Sequence, residues 1–539
     1  MKTPGGTTVI TRSHRIDYQG VDEVLSRRKL FAAAALGAAT VGAGSPPAQA
    51  TPAVLPGQRE YRTLAMRGYN RRFVARPRRI HLPADAEEVR QAVANSVRDG
   101  LRLAARSGGH CFEDFVDSAD TRSLIDLRGL DRVEWNTEHR AFSVGTGLTL
   151  ERLYPELARW NVTVPGGICR AVGVGGHISG GGYGPLSRRH GLVADHLYGV
   201  EVATVARDGS VGLITATRDG PHEDLWWAHT GGGGGNFGIV TRYLLRSPGS
   251  DGSDPATALP RPPRSMLSTT LTLPVTTEDS FLRFMGNYLD FYARYRDPGN
   301  RFDGLYAPIS FRPQLTGLGE MLIIQAADGP DARGQVDEFV STVCAEVRPG
   351  AIVGPVVERS YADTVAQVYY AGTADPPRVK TKAAYLRRPY SADQLRTCYR
   401  HIVSTAFVGE SSLEFLPFGG AVNAVAPGAT AIPARDSFMK MLIHASWRLP
   451  IDDDRHIGVA RQLYREVYAD TGGVPVPGPD NGGSYVNYPD PDLADPEFNR
   501  SGIPWHAFYY GANYPRLQQV KARWDPNDVF RHRLSVELP

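Results

Sequence analysis

Apolar residues recur along this chain in two rhythms. Val89, Val93 and Val97 are spaced four apart among polar neighbours, the stripe of an amphipathic helix, and predict one over residues 86–99. Pro83-Ala84-Asp85 precedes it as a start signal and Gly100 follows as a stop. Shorter runs flank it. Residues 77–81 predict an extended entry strand, and residues 101–105 a short buried-type strand that runs into Arg106-Ser107-Gly108-Gly109-His110. Further strands are expected around residues 123–127 and 141–144, then a second helix capped by Thr149 and ending near Trp160. This mixture describes an α+β nucleotide-binding domain over residues 73–248.

Residues 247–263 are rich in Ser, Gly, Asp and Pro and read as a linker or surface loop. A second domain is expected over residues 265–476, alternating strands such as 321–325 with helices such as 335–346. After another breaker-rich stretch, 475–483, a C-terminal segment over 484–530 is dense in Tyr, Asn, Pro and Trp.

With 539 residues, two domains are the natural expectation. A formal net charge of only +3 argues against nucleic acid as a partner. Many of the 58 glycines bunch between Gly166 and Gly238, a pattern suited to backbone passing close to a ligand. The four cysteines, Cys111, Cys169, Cys344 and Cys398, form no disulfide framework for a chain this long and include no CxxC pair, so no metal is expected. Cys344 and Cys398 remain open as a pair outside the cell.

The first 50 residues read as a twin-arginine export signal. Arg27-Arg28 stands before the apolar run 32–41, and Ala48-Gln49-Ala50 offers an A-x-A cleavage site. The run is too short to stay in a bilayer as a helix, and no later stretch is apolar enough to span one. The expectation is a secreted protein with no membrane anchoring; the oligomeric state is left open.

Generic motifs are missing: no phosphate-loop signature, no H-E-x-x-H, no G-x-S-x-G. One G-x-G-x-x-G occurs, Gly233-Gly234-Gly235-Asn236-Phe237-Gly238. The strand-like Ile239-Val240-Thr241-Arg242-Tyr243-Leu244 follows it where a dinucleotide fold needs a helix, so a Rossmann site is rejected. Three segments are more informative. They are Arg106-Ser107-Gly108-Gly109-His110; the glycine run from Pro165 to Gly184 that contains Cys169 and His177; and Tyr485-Val486-Asn487-Tyr488-Pro489-Asp490, with Tyr510-Gly511-Ala512-Asn513-Tyr514 behind it. Together they resemble the berberine-bridge-enzyme-like family of FAD-linked oxidases, in particular its bacterial branch that oxidises glycosylated polyketides.

That resemblance implies a PCMH-type FAD-binding domain plus an antiparallel-sheet substrate domain with helices. It implies bicovalent FAD, joined to His110 at the flavin 8α position and to Cys169 at C6. A lone histidine after two glycines is ordinarily a loop residue and a lone cysteine a small buried hydrophobe; it is the flanking motifs that favour attachment. Cys111 lacks such flanks and is assigned to packing. Cofactor contacts are implied for Arg106, Ser107, Gly108, Gly109, Val172, Gly173, Gly175, Gly176, His177, Gly180, Ile239, Val240, Asn513 and Tyr514. His177 is expected near the flavin edge where negative charge develops on reduction.

Tyr488 matches the family's proton acceptor, the base needed when hydride leaves an alcohol carbon. Its neighbour Tyr485 is expected on the opposite face of an extended segment. Tyr183, Phe112, Tyr485 and His444 are candidates for the substrate side. Phe112 replaces a tyrosine of many relatives, and Ile443 an acidic or amide residue. The second tyrosine of the polyketide branch has no clear counterpart among residues 416–420, where Leu416 and Phe418 stand by position. The implied reaction is hydride transfer from a hydroxyl of a small molecule, including glycosylated ones, with oxygen as acceptor. Lactone-forming oligosaccharide oxidation and oxidative cyclisation are the alternatives.

Overall fold

The computed structural model describes residues 53–274, 277–312, 318–329, 331–369, 376–406 and 409–539. The expected leader, residues 1–50, lies outside them.

The helix start signal works as anticipated. Asp85 adopts an extended conformation and its carboxylate accepts the Glu88 N–H at 2.9 Å, satisfying one of the free donors of helix α1, Ala86–Arg98. Val89 and Val93 are fully buried, packing with Leu103 and Ile125. Helix α1 lies between strands β2 (Arg79–His81) and β3 (Leu103–Arg106) in the chain. With β1 (Ala53–Val54) and β4 (Ser123–Asp126) these form a four-stranded sheet ordered β1-β2-β4-β3, in which β2 and β3 both run parallel to β4. A second, five-stranded antiparallel sheet follows: β5 (Val133–Asn136), β6 (Ala141–Gly145), β7 (Leu197–Val205), β8 (Val211–Thr217) and β9 (Ile239–Leu245), ordered β5-β6-β9-β7-β8. Ile239 begins β9 directly after the Gly233–Gly238 stretch, which is why that G-x-G-x-x-G opens no helix. Thr149 occupies the N-cap position of helix α2, Leu150–Ala158, but its side chain makes no capping bond and the helix stops short of Trp160.

Among the described residues, the third sheet has nine antiparallel strands. They are β10 (Ser265–Pro274), β11 (Leu305–Tyr306), β12 (Ile309–Phe311), β13 (Leu318–Ala326), β14 (Ile352–Val353), β15 (Val357–Ser360), β16 (Arg378–Leu386), β17 (Ser412–Pro417) and β18 (Met439–Trp447). Helices Glu278–Arg294, Ala332–Val343 and Asp453–Val467 pack on it, and helix Ala392–Ile402 packs against the first and last of these. The helix expected at 335–346 begins and ends three residues earlier. Along β17, Leu413 and Phe415 are buried in the core while Glu414 and Leu416 line a cavity, the two-residue alternation of a strand. The result is the expected α+β architecture with a PCMH-type cofactor domain.

The C-terminal helix Tyr514–Trp524 packs against helix Glu223–Ala228. Its buried Lys521 ties the chain end to the glycine loop, donating to Asn236 O at 2.9 Å and Phe530 O at 2.6 Å while pairing with Asp525 at 2.7 Å. Cys344 and Cys398 are free thiols, so the open question of their pairing is answered against a disulfide. Among the described residues no helix is long and apolar enough to cross a membrane.

Candidate functional site

One cavity gathers the three informative segments. Residues 103–112 line it, as do Cys169, His177, the loop Gly233–Asn236, Ile239 and Val240, residues 485–489, and Tyr306, Glu414 and Leu416 from the third sheet. Segments far apart in sequence therefore meet where both smaller sheets face the large one.

Glycine is required where the two cofactor loops cross. A β-carbon on Gly108 would meet the backbone of Gly173 and Ala171, and one on Gly173 would meet the backbone of Gly108. Ser107 pins the crossing: its hydroxyl donates to Thr146 O at 2.5 Å and accepts the Gly175 N–H at 3.3 Å. Gly109 has φ 82°, which costs a residue without a β-carbon little. By contrast, a β-carbon on Gly176 would meet nothing within 4 Å; there the bare backbone faces open space. A closely crossed pair of glycine loops exposing backbone amides to a deep cavity fits the pyrophosphate of FAD.

Of the residues implied by the resemblance, Arg106, Ser107, Gly108, Gly109, His110, Phe112, Cys169, Val172, Gly173, Gly175, Gly176, His177, Tyr183, Ile239, Val240, Tyr485 and Tyr488 line the cavity. Four do not. Gly180 is packed against the Asn487 side chain. Asn513 donates to Pro427 O at 2.9 Å and Thr430 O at 3.2 Å, and Tyr514 stacks on His506 at 3.8 Å. His444 sits behind Phe112, its ring 5.9 Å away. Arg106 lines the cavity, but its buried guanidinium is committed to Asp117 and to Leu64 O. Cys111, assigned to packing, lines the cavity as well, with burial pushing its thiol up to about 12.

His110 stacks on Tyr69 with ring centroids 4.0 Å apart. Burial, then the fields of His444 and His177, lowers it to about 4, so it is a neutral imidazole at pH 7 with a lone pair available. Cys169 is exposed, but to the cavity: surrounding protein pushes its thiol up to about 11, with Glu414 adding to the effect. His177 Nε2 accepts the Gly167 N–H at 3.1 Å, leaving Nδ1–H as the donor of a ring that burial lowers to about 4.

The tyrosines separate by their hydrogen bonds. Tyr183 Oη donates to Pro417 O at 2.7 Å, and Tyr306 is hydrogen-bonded to Tyr183. Tyr485 Oη accepts from Asn487 Nδ2 at 3.1 Å. The Tyr488 hydroxyl has no hydrogen-bond partner among the described residues. The expectation that Tyr485 and Tyr488 face opposite ways is corrected: Tyr488 N–H donates to Tyr485 O at 2.8 Å, so the chain turns and brings both rings to one side. Lys380 and Lys382 of β16 hold this loop, each reaching Asp490 at 2.7 Å; Lys380 also reaches Glu113 at 3.3 Å, close to the His110 loop.

Sequence reasoning missed Tyr69, Tyr306, Glu414 and Lys440. Lys440 Nζ lies 3.2 Å from the Tyr183 ring centroid and 5.5 Å from that of Tyr488, without a hydrogen-bond partner. Burial lowers it well below its usual value, toward a neutral amine. A single lysine in the apolar strand Met439–Trp447 was a signal that could have found it; Tyr306 carried none.

A family model for an FAD-binding domain matches residues 77–212, and one described as berberine and berberine-like matches residues 484–537. This chain belongs to the berberine-bridge-enzyme-like family of FAD-linked oxidases. It is 45% identical over 492 residues to aclacinomycin-N/aclacinomycin-A oxidase of Streptomyces galilaeus, covering 89% of each chain. A glycopeptide hexose oxidase solved with teicoplanin superposes with TM-score 0.86 at 43% identity, covering 90% of this chain and 98% of that one. An oxidoreductase that catalyses the terminal step of gilvocarcin biosynthesis, solved with pregilvocarcin, gives TM-score 0.87 at 36% identity over 90% and 100% of the two chains.

Proposed function

We propose that this oxidase carries bicovalent FAD, attached at His110 and Cys169, and oxidises a hydroxyl of a sugar or of a secondary alcohol on a natural product. The observation that carries this reading is that His110, Cys169 and the hydrogen-bond-free Tyr488 line one cavity. Relatives named as aclacinomycin, glycopeptide hexose and hexose oxidases support the substrate class.

The chemistry that bound FAD would supply is hydride acceptance, with oxygen then taking the two electrons as hydrogen peroxide. The protein's part is positioning and proton transfer. Tyr488 takes the substrate hydroxyl proton at its Oη. Burial pushes that phenol well above its usual value, so it needs help to ionise. Lys440, with Nζ 5.5 Å from the Tyr488 ring centroid, favours the phenolate whenever it carries a proton. His177, with Nδ1–H left as a donor, would stabilise negative charge on the cofactor held beside it. Tyr485 and Tyr183, already hydrogen-bonded, shape the cavity. The leader sends the folded holoenzyme out of the cell by twin-arginine export.

The test is anaerobic bleaching of the purified yellow protein by a panel of hexoses, oligosaccharides and glycosylated polyketides, followed by product mass and peroxide detection under air. Loss of two mass units with one peroxide per turnover supports simple alcohol oxidation. A lactone from an oligosaccharide, or a new ring without a ketone, moves the assignment to the corresponding alternative. No bleaching by any of them contradicts it.

A further inference from the structure

Among the described residues lining the cavity, Glu414 is the only carboxylate. Strand alternation on β17 turns it to the cavity beside Leu416. Its one hydrogen-bond donor is the Ser412 hydroxyl, at 2.6 Å from Oε1, and no Lys or Arg pairs with it among the described residues. Glu410, four residues earlier, is satisfied by Arg448 at 2.7 Å. Of the cation formers on the next strand, Lys440 lies instead over the Tyr183 and Tyr485 rings, and His444, which the Glu414 charge reaches, packs against Phe112 without a hydrogen bond to the carboxylate. The charge of Glu414 is felt by Tyr69, Cys169, Tyr306, His444 and Tyr488, which come from five separate segments. The carboxylate therefore stands among the groups that surround the reacting end of the cavity.

An ionised carboxylate has room for about four hydrogen bonds, and this one receives a single neutral donor. In a mostly apolar cavity such a charge is under-compensated. A protonated amine would satisfy it and be favoured over a hydroxyl of the same shape, because charge-assisted hydrogen bonds are roughly twice as strong as neutral ones. We propose that Glu414 selects substrates bearing a protonated amine, such as aminodeoxy sugars, by pairing with the ammonium inside the cavity. The sugar part of this inference rests on the function proposed above; the ammonium part does not.

The experiment is titration of flavin absorbance in the intact holoenzyme with two probe pairs. One pair sets the 2-, 3- and 6-amino-deoxyglucoses against glucose; the other sets cyclohexylammonium against cyclohexanol. Wild type is expected to bind the better amine of each pair about 10–100-fold more tightly. Glu414→Gln should cut that ratio by about tenfold or more, and Glu414→Asp, which keeps the charge, should retain most of it. Equal binding of amine and alcohol by wild type overturns the proposal. So does a Glu414→Gln ratio equal to that of wild type, or a variant that weakens amine and alcohol alike. If cyclohexylammonium shows the Glu414-dependent preference while no hexose binds or bleaches the flavin, ammonium selection stands and the sugar-oxidase reading fails.

Discussion

Tyr488 meets Tyr485 edge to face, with ring centroids 5.1 Å apart and planes at 84°, yet only Tyr485 has its hydroxyl held, by Asn487 at 3.1 Å. Two phenols of one loop thus share a cavity in different hydrogen-bonding states. Tyr485→Phe removes one neutral hydrogen bond and no base. The rate of anaerobic flavin reduction is expected to fall by less than about tenfold. A larger loss, with substrate affinity unchanged, would give Tyr485 a part in proton transfer.

Attachment is tested by denaturation. Protein precipitated in acid should keep its flavin, and His110→Ala and Cys169→Ala should each retain it through the remaining bond. Only the double variant should release free FAD. Mass spectrometry of flavinylated peptides checks which residue carries the link. Because Cys111 also lines the cavity, flavin found on Cys111 in the Cys169→Ala variant would show that proximity, and not the flanking motif, selects the thiol.

Much of this was legible in the sequence because it rests on local chemistry. Asp85, the valine stripe and Gly100 set a helix by capping and periodicity alone. The glycine loops could be read because no other residue lets two backbones cross as Gly108 and Gly173 do. The opposed placement of Tyr485 and Tyr488 failed because it assumed extended backbone where the chain turns. Asn513 and Tyr514, implied as cofactor contacts by the resemblance, lie outside the cavity lining, with Asn513 donating to Thr430 O and the Tyr514 hydroxyl accepting the Glu537 N–H. Glu414 and Tyr306 line the cavity from strands of the third sheet, with Lys440 against Tyr183, and only tertiary pairing brings them there. The sequence marks such residues at most as a polar position in an apolar run.

Export is checked by exchanging Arg27 and Arg28 for lysine together. Lysine keeps the charge but not the guanidinium geometry. Folded, flavin-loaded enzyme is expected to accumulate inside the cell and to disappear from the medium. Undiminished secretion would contradict the twin-arginine assignment.

Buried histidines give the fold a pH signature. His81 is 1% exposed, with neither ring nitrogen hydrogen-bonded. Burial, aided by Arg79, lowers it from 6.5 to about 4. Between those values only the unfolded chain takes the proton, so stability is full above about pH 6.5 and is lost as pH falls toward 4. The loss from His81 is on the order of 3 kcal/mol across the window. Denaturant unfolding at pH 7 and pH 4.5 should show His81→Phe losing less stability on acidification than wild type. His177, His190 and His229, also lowered to about 4, should leave part of the slope in place.

The central claim is that Tyr488 takes the proton as hydride leaves the substrate. Stopped-flow reduction of Tyr488→Phe holoenzyme under anaerobic conditions tests it most directly, since the substitution removes one oxygen and keeps the ring against Phe112 and Tyr485. Reduction is expected to slow by about 10²–10⁴-fold, with flavin attachment intact and reoxidation by oxygen little changed. Reduction at the wild-type rate would contradict the account.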